Sequence, residues 1–393
     1  MLAESVKHIA AALGLDDCRI AAITGPAAHA EHYQQWIDAG EHGEMDWMAK
    51  NPDRRKDPRQ VLPGARSVIV VALNYYQEAP GGRSGDDAPN GTDEKNRNHA
   101  SDKSHPSSKS CPAPAPTAKI ARYAWGDDYH DVLDHKLRDL AEWLAAQGGT
   151  QRLYADTGPV LERDWASAAG LGWNGKSTIQ IHPALGCYFF LGEILTTLDI
   201  APDTPLSDHC GKCSRCMTAC PTGAITSPRH VDARKCVSYL TIESKSAIPM
   251  EFRRAIGDRL YGCDDCLAAC PWNRFAKNSR EAAFAARPFV ARWPVRDFLA
   301  LTDDTFRDLF RHSPIRRIKR PAFLRNVCVV LGNTGTAADL PALQTAARDP
   351  HPLIAQHAVW AIGEIEGRKI LEGTRKGPDP PPGHPGYQSG SLF

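Results

Sequence analysis

The sequence predicts an α/β (α+β) domain, then a cysteine-rich segment, then an all-α end. Three observations carry that division. An apolar run from Ser67 to Asn74 sits among segments of helical periodicity, as expected for a strand covered on both faces. The cysteines crowd between Cys210 and Cys270. Beyond about residue 291 only helical patterns continue.

Residues 2–13 place Val6, Ile9, Ala10 and Leu13 on one helical face, and Gly14 stops the helix. Cys18 to Ile23 reads as a strand, and His29 to Ala39 as a helix closed by Gly40. The cluster Met45-Asp46-Trp47-Met48 suits core packing better than a pocket wall. From Ala79 to Thr117 there is no Val, Ile, Leu, Phe, Tyr or Trp. Such a stretch cannot offset its own ordering entropy, so residues 79–118 read as a disordered surface insertion.

After Lys119 a helix carries Leu133, Leu137, Leu140 and Leu144 on one face, with Asp127 or Asp128 as cap and Gly148 as end. Arg152 to Asp156 is a short strand ending in a carboxylate, where α/β proteins place ligand crevices. Pro159 is read in the first turn of a helix reaching Gly170. The turn Gly170-Leu-Gly-Trp173-Asn-Gly175-Lys176 precedes strands at Thr178–His182 and Cys187–Thr197. Its glycines match G-x-G-x-x-G, but a helix-to-strand context reverses the dinucleotide-binding order. They fit a tight turn or a close approach to a large flat cofactor. These elements define a domain over residues 1–200.

The run Cys210-x2-Cys213-x2-Cys216-x3-Cys220-Pro221 has the spacing of two-cluster bacterial ferredoxins, in which the fourth thiolate reaches the other cube. Cys263-x2-Cys266-x3-Cys270-Pro271 keeps three positions of the pattern, and Cys236 replaces the missing first. The crossover assigns Cys210, Cys213, Cys216 and Cys270 to one [4Fe-4S] cluster, and Cys236, Cys263, Cys266 and Cys220 to the other. Paired zinc sites would also use C-x2-C pairs but do not need this run. A bacterial-ferredoxin-like domain is therefore assigned to residues 201–290. Cys18, Cys111, Cys187 and Cys328 are left as ordinary thiols.

Helical patterns at Val295–Leu301, Asp303–Phe310, Pro321–Leu331, Ala338–Arg348 and Leu353–Ile365 make residues 291–366 a helical, HEAT-like region. The Pro- and Gly-rich residues 367–393 read as a disordered tail. Within the basic run Arg311 to Arg320, Arg316, Arg317, Lys319 and Arg320 suit either phosphate contacts or a solvated charged face. A net charge of +1 gives no global pull toward nucleic acid. No apolar run reaches the ~18 residues of a membrane span, and no signal-peptide core opens the chain. A cytoplasmic protein is expected.

Asp156 in a partly apolar crevice could keep and donate a proton, or it could cap the helix after it. Tyr129 and His130 are similarly open between catalysis and structure. Together, Arg122-Tyr123-Ala-Trp-Gly-Asp-Asp-Tyr129-His130, Asp156-Thr-Gly-Pro-Val-Leu-Glu162, Gly170 to Lys176, Phe190-Leu-Gly-Glu193, the cysteine array and Ser313 to Asn326 resemble the epoxyqueuosine reductase family.

The resemblance implies reduction of the epoxide of epoxyqueuosine at the tRNA wobble position, giving queuosine. It implies a nitroreductase-like domain holding base-off cob(II)alamin beside two [4Fe-4S] clusters, as in reductive dehalogenases. Asp156 then takes the proton-donor position. Arg122, Tyr123, Tyr129, His130, Trp173, Lys176, Gln180 and Asp264 become cobalamin contacts. Arg316, Arg317, Lys319 and Arg320 become contacts to the anticodon stem-loop. An unidentified electron donor and a monomer complete the expectation. A cobalamin lower-ligand motif D-x-H-x-x-G is begun by Asp128-Tyr129-His130 but broken by Leu133. A reductive dehalogenase of small organohalides, or a ferredoxin-type electron carrier with a fused binding module, would share part of these features.

Overall fold

The structure, a computed structural model, describes residues 2–78 and 118–375. Of the expected insertion 79–118, residues 79–117 lie outside them, as do residues 376–393, whereas Ala118 is described and packs partly buried against a hydrophobic core.

A four-stranded sheet organises the first part, in the order Asp17–Ala22, Ser67–Asn74, Phe189–Thr196, Gln151–Tyr154. All three pairings are antiparallel. The strand-end crevice of parallel sheets therefore does not apply, and Asp156 reaches its site by another route. Every residue of Ser67–Asn74 is buried, because both faces are covered. On one face Ile69, Val71, Leu73 and Ile194 meet Leu133, Leu137, Leu140 and Leu144 of the helix Tyr129–Ala145, with Val6 and Ala10 of Leu2–Ala12. On the other, Val68, Val70, Ala72 and Leu195 meet Trp165, Ala166 and Ala169 at the helix Glu162–Ala168.

Asp128 caps the helix Tyr129–Ala145, its side chain accepting from the His130 amide. Pro159 lies outside the helix expected to contain it, since Glu162–Ala168 begins later and Leu161 is its cap. Asp156 is not a cap either. The strand read at Thr178–His182 shrinks to Gln180–Ile181, paired with Trp173–Asn174 in a small hairpin. Gly172 makes this closure possible, because a Cβ there would lie 2.0 Å from the Ile181 carbonyl oxygen.

The cysteine segment is tied back to the sheet domain by Lys119–Ile120, which pairs parallel with Arg259–Tyr261. The helical end then closes on it. Helix Lys319–Thr334 packs against Pro352–Arg375. Arg325, fully buried in it, donates to the carbonyls of Leu240, Ser244 and Ser246. Asn326 donates to those of Thr241 and Leu260. The last helix runs to Arg375, past the end expected at Ile365 and the tail expected after Gly367. Gly363 and Gly367 have nothing within 4 Å of a hypothetical Cβ, so they sit on its open side without ending it. Among the described residues no helix is long and apolar enough to cross a membrane.

Candidate active site at the meeting of two cavities

Asp156 sits where two cavities meet. Both are lined by Asp156, Glu162 and Arg163. The first, of about 410 Å³, is walled by His29, Tyr33, Trp36, Trp47, Met48 and Arg55 among others. Trp47, 42% exposed, and Met48 line this cavity, against the core reading from sequence, whereas Met45 does pack against the buried Ala233, Tyr239 and Leu240. The second, of about 350 Å³, is faced by Tyr75, Tyr123, Tyr129, Phe189 and Phe190, with Gln180, Glu243 and Arg317 at its polar edge.

Asp156 enters this junction through a left-handed turn, φ 62°, directly after the edge strand Gln151–Tyr154. A non-glycine residue in that region is uncommon and marks a constrained loop. Its amide donates to Glu162 Oε1 at 2.8 Å, which holds the turn. The Tyr129 hydroxyl donates to Asp156 Oδ2 at 2.5 Å, and His130 Nε2 lies 3.7 Å from the same oxygen. The other face of His130 is fixed by Nδ1 against Asp128 Oδ1 at 2.7 Å.

These contacts set the charges. Burial raises the Asp156 carboxyl, but His130 and Tyr129 outweigh it and hold it down at about 2. Burial lowers the His130 imidazole, but Asp128 and Asp156 overcome that and hold it up at about 9. The expectation was a carboxyl that keeps and donates a proton; these contacts favour its ionised form and the protonated form of His130. In this arrangement the proton rests on His130, and Asp156 is the carboxylate beside it.

The cysteines gather in two sets. Cys210, Cys213, Cys216 and Cys270 line one cavity of about 220 Å³. Cys236, Cys263 and Cys220 lie near enough to Cys266 to add, after burial, to the upward push on its thiol. Cys187, read as an ordinary thiol, lies buried beside Cys270 and also lines the aromatic cavity. With Leu267 it forms the partition between the thiols and that cavity.

Other expected contacts go elsewhere. Lys176 Nζ donates to the carbonyls of Gly211 at 2.6 Å and Cys213 at 2.9 Å, pinning the first cysteine loop. Trp173 packs edge-on against Trp272, on the thiol side, with ring centroids 4.8 Å apart. Arg122 is held through its backbone, the amide donating to Asp264 Oδ2 at 2.7 Å. Its guanidinium lies over Tyr188, 5.1 Å from the ring centroid. Trp173, Lys176, Arg122 and Asp264 therefore do not line the aromatic cavity, whereas Tyr123, Tyr129 and Gln180 do. His130 belongs with Asp156.

In the basic run, Arg316 and Lys319 are exposed. Arg317 turns to the aromatic cavity and pairs with Glu243 at 2.8 Å. Arg320 is engaged internally, with Asp349 Oδ2 at 2.6 Å and the Leu301 carbonyl at 2.6 Å, so it is not a free surface cation. Two carboxyls were given no role from sequence. Glu162 lines both cavities, and Glu193 lies fully buried in the central strand Phe189–Thr196. The signal for Glu193 was present, a charge inside an apolar strand.

Residues 55–157 match the family described as Epoxyqueuosine reductase QueG, DUF1730. Residues 209–273 match the 4Fe-4S double cluster binding domain. The epoxyqueuosine reductase of Xanthomonas campestris pv. campestris is 38% identical over 92% of this chain and 96% of its own length. That of Pseudomonas aeruginosa is 36% identical over 92% and 94%. Among solved structures, epoxyqueuosine reductase with a tRNA-Tyr epoxyqueuosine-modified stem loop is 28% identical, with a TM-score of 0.81 over 96% of this chain and 95% of that one. The Streptococcus thermophilus structure is 26% identical with a TM-score of 0.79, over 97% and 95%.

Proposed function

The chain belongs to the epoxyqueuosine reductase family, and from that premise we propose how its residues reduce epoxyqueuosine in tRNA. Taking the epoxide oxygen away as water and leaving a double bond consumes two electrons and two protons. The observation that carries the reading is the Asp156 carboxylate at the junction of two cavities, one of which abuts the cysteine sets.

The aromatic cavity suits a flat macrocycle. Tyr75, Tyr123, Phe189 and Phe190 wall it with aromatic rings, Gln180 offers an amide, and no histidine lines it among the described residues. That lining fits a base-off cobalamin without a protein imidazole. Bound there, the corrinoid would supply one-electron cobalt chemistry strong enough to open the epoxide. Cys187 and Leu267 would separate it from the cluster held by Cys210, Cys213, Cys216 and Cys270. Cys236, Cys263, Cys266 and Cys220 would hold the second cluster.

The modified base enters from the wider cavity, past Trp47 and Met48, and its oxygen meets Asp156. His130 holds the first proton and passes it through Asp156 to that oxygen. Tyr129 keeps the carboxylate aimed. Arg316 and Lys319 are free to meet phosphates of the stem-loop, and Arg317 stands at the edge of the aromatic cavity.

The test is anaerobic reconstitution followed by metal analysis and turnover on an epoxyqueuosine-bearing stem-loop. About eight irons and one cobalt per chain are expected. Asp156→Asn should bind both metals and the RNA normally and turn over nothing. Undiminished turnover by that variant would remove Asp156 from the reaction.

A further inference from the structure

We propose that Glu162 and Glu193 form a proton store that recharges Asp156 between the two proton transfers of the reduction. The proposal rests on the reading of Asp156 given above. Neither glutamate touches the substrate, and both act through Asp156.

Glu193 is fully buried, and neither of its carboxyl oxygens has an N–H or O–H donor. In register with Val70, it faces the same side of the sheet as the helix Glu162–Ala168. There its carboxyl meets that of Glu162. Two carboxylates cannot share a buried contact unless a proton joins them. An unpaired ionised Glu193 in a sheet core would be too costly to persist. Glu193 is therefore a carboxylic acid whose O–H donates to a Glu162 oxygen, and when the store is full Glu162 carries a second proton, taken from solvent through the cavities it borders. Glu162 in turn borders both cavities and grips the Asp156 amide at 2.8 Å. His130 and Glu162 thus approach Asp156 from different elements, one for each proton required.

Protons and electrons balance. Asp156 delivers the His130 proton to the oxygen as the first C–O bond breaks. Glu162 then gives its own proton to the emptied Asp156 carboxylate, directly or through one cavity water. The resulting Glu162 carboxylate accepts the Glu193 O–H. Asp156 passes the second proton on as the second C–O bond breaks, the double bond forms and water leaves. Both electrons come from the reductive supply proposed above. Glu162 and His130 are both reloaded from solvent through the wider cavity.

The charges agree. Burial, then the Asp156 charge, push Glu162 up to about 7, against the opposing Glu193 hydrogen bond and Arg163. Glu193 is pushed well up too, by burial and then by Glu162. Tyr129, His130 and Arg317 face Asp156 from the other side.

The first measurement is an infrared difference spectrum of the protein without substrate. A protonated carboxyl should persist at pH 8 in the parent and vanish in Glu193→Gln. The second is turnover of Glu162→Gln across pH. A fall of at least about tenfold is expected, with unchanged RNA affinity, loss of the limb near pH 7, and partial rescue by Glu162→Asp. Parental turnover and pH profile in Glu162→Gln, with Asp156→Asn inactive, would overturn the store while leaving Asp156 in place. An active Asp156→Asn would instead undo the reading beneath it. Should Glu193→Gln not fold, the Glu162→Gln profile decides alone.

Discussion

Tyr129 is clamped between the His130 ring, 4.0 Å away, and the Phe190 ring, 4.2 Å away, so its hydroxyl can point only at Asp156. Tyr129→Phe keeps that stack and removes the donor. The Asp156 carboxyl should rise from about 2, and turnover should drop with metal content and RNA affinity unchanged. His130 gives a pH signature of opposite sense to a carboxylate. Its folded value is raised to about 9, so its stabilising pairing is complete below its ordinary value of about 6.5 and is lost as pH rises through 9. Parental turnover should fall across the same interval, and a His130→Gln rate profile should lack that fall. Asp156 itself was legible from sequence as a carboxylate at a strand end. What sequence could not show was its charge state, because Tyr129 and His130 stand 27 and 26 positions before it and only the fold brings them together.

At the scale of elements, the glycine-rich turn shows how a motif can be found yet misassigned. Gly170, at φ +75°, brings its backbone so near the Thr204 carbonyl that a Cβ would lie 2.2 Å from it. These glycines permit backbone-to-backbone contact, and they carry Lys176 to the carbonyls of Gly211 and Cys213. Gly172→Ala should destabilise the protein by on the order of 3 kcal/mol and show it as a lowered Tm. Lys176→Ala should fold but lose iron faster on exposure to a chelator, since the first cysteine loop is released. Helices with leucine stripes, such as Tyr129–Ala145, were plain in the sequence because the i, i+4, i+7 pattern is local. Strand order and direction were not. Gln151–Tyr154 lies beside Phe189–Thr196 through pairings distant in the chain, and nothing local records them.

Across the whole molecule, the helical end has two jobs that a charge count merges. Arg320 and Arg325 hold it in place, one through Asp349 and Leu301, the other through three carbonyls of the cysteine region. Arg316 and Lys319 remain exposed on the same stretch. Reversing the two exposed charges, Arg316→Glu with Lys319→Glu, should leave Tm unchanged. Affinity for the stem-loop should weaken, and the slope of log affinity against log salt should shrink by about 1 for each phosphate no longer neutralised. Arg320→Glu should do the reverse, lowering Tm because it opposes Asp349 inside the fold, with RNA binding reduced only as far as folding is. Matched melting curves and salt titrations on both variants separate the cases. If the double reversal leaves the salt slope untouched, this face does not carry the RNA, and the cavity walls around Trp47 and Arg317 must hold it alone.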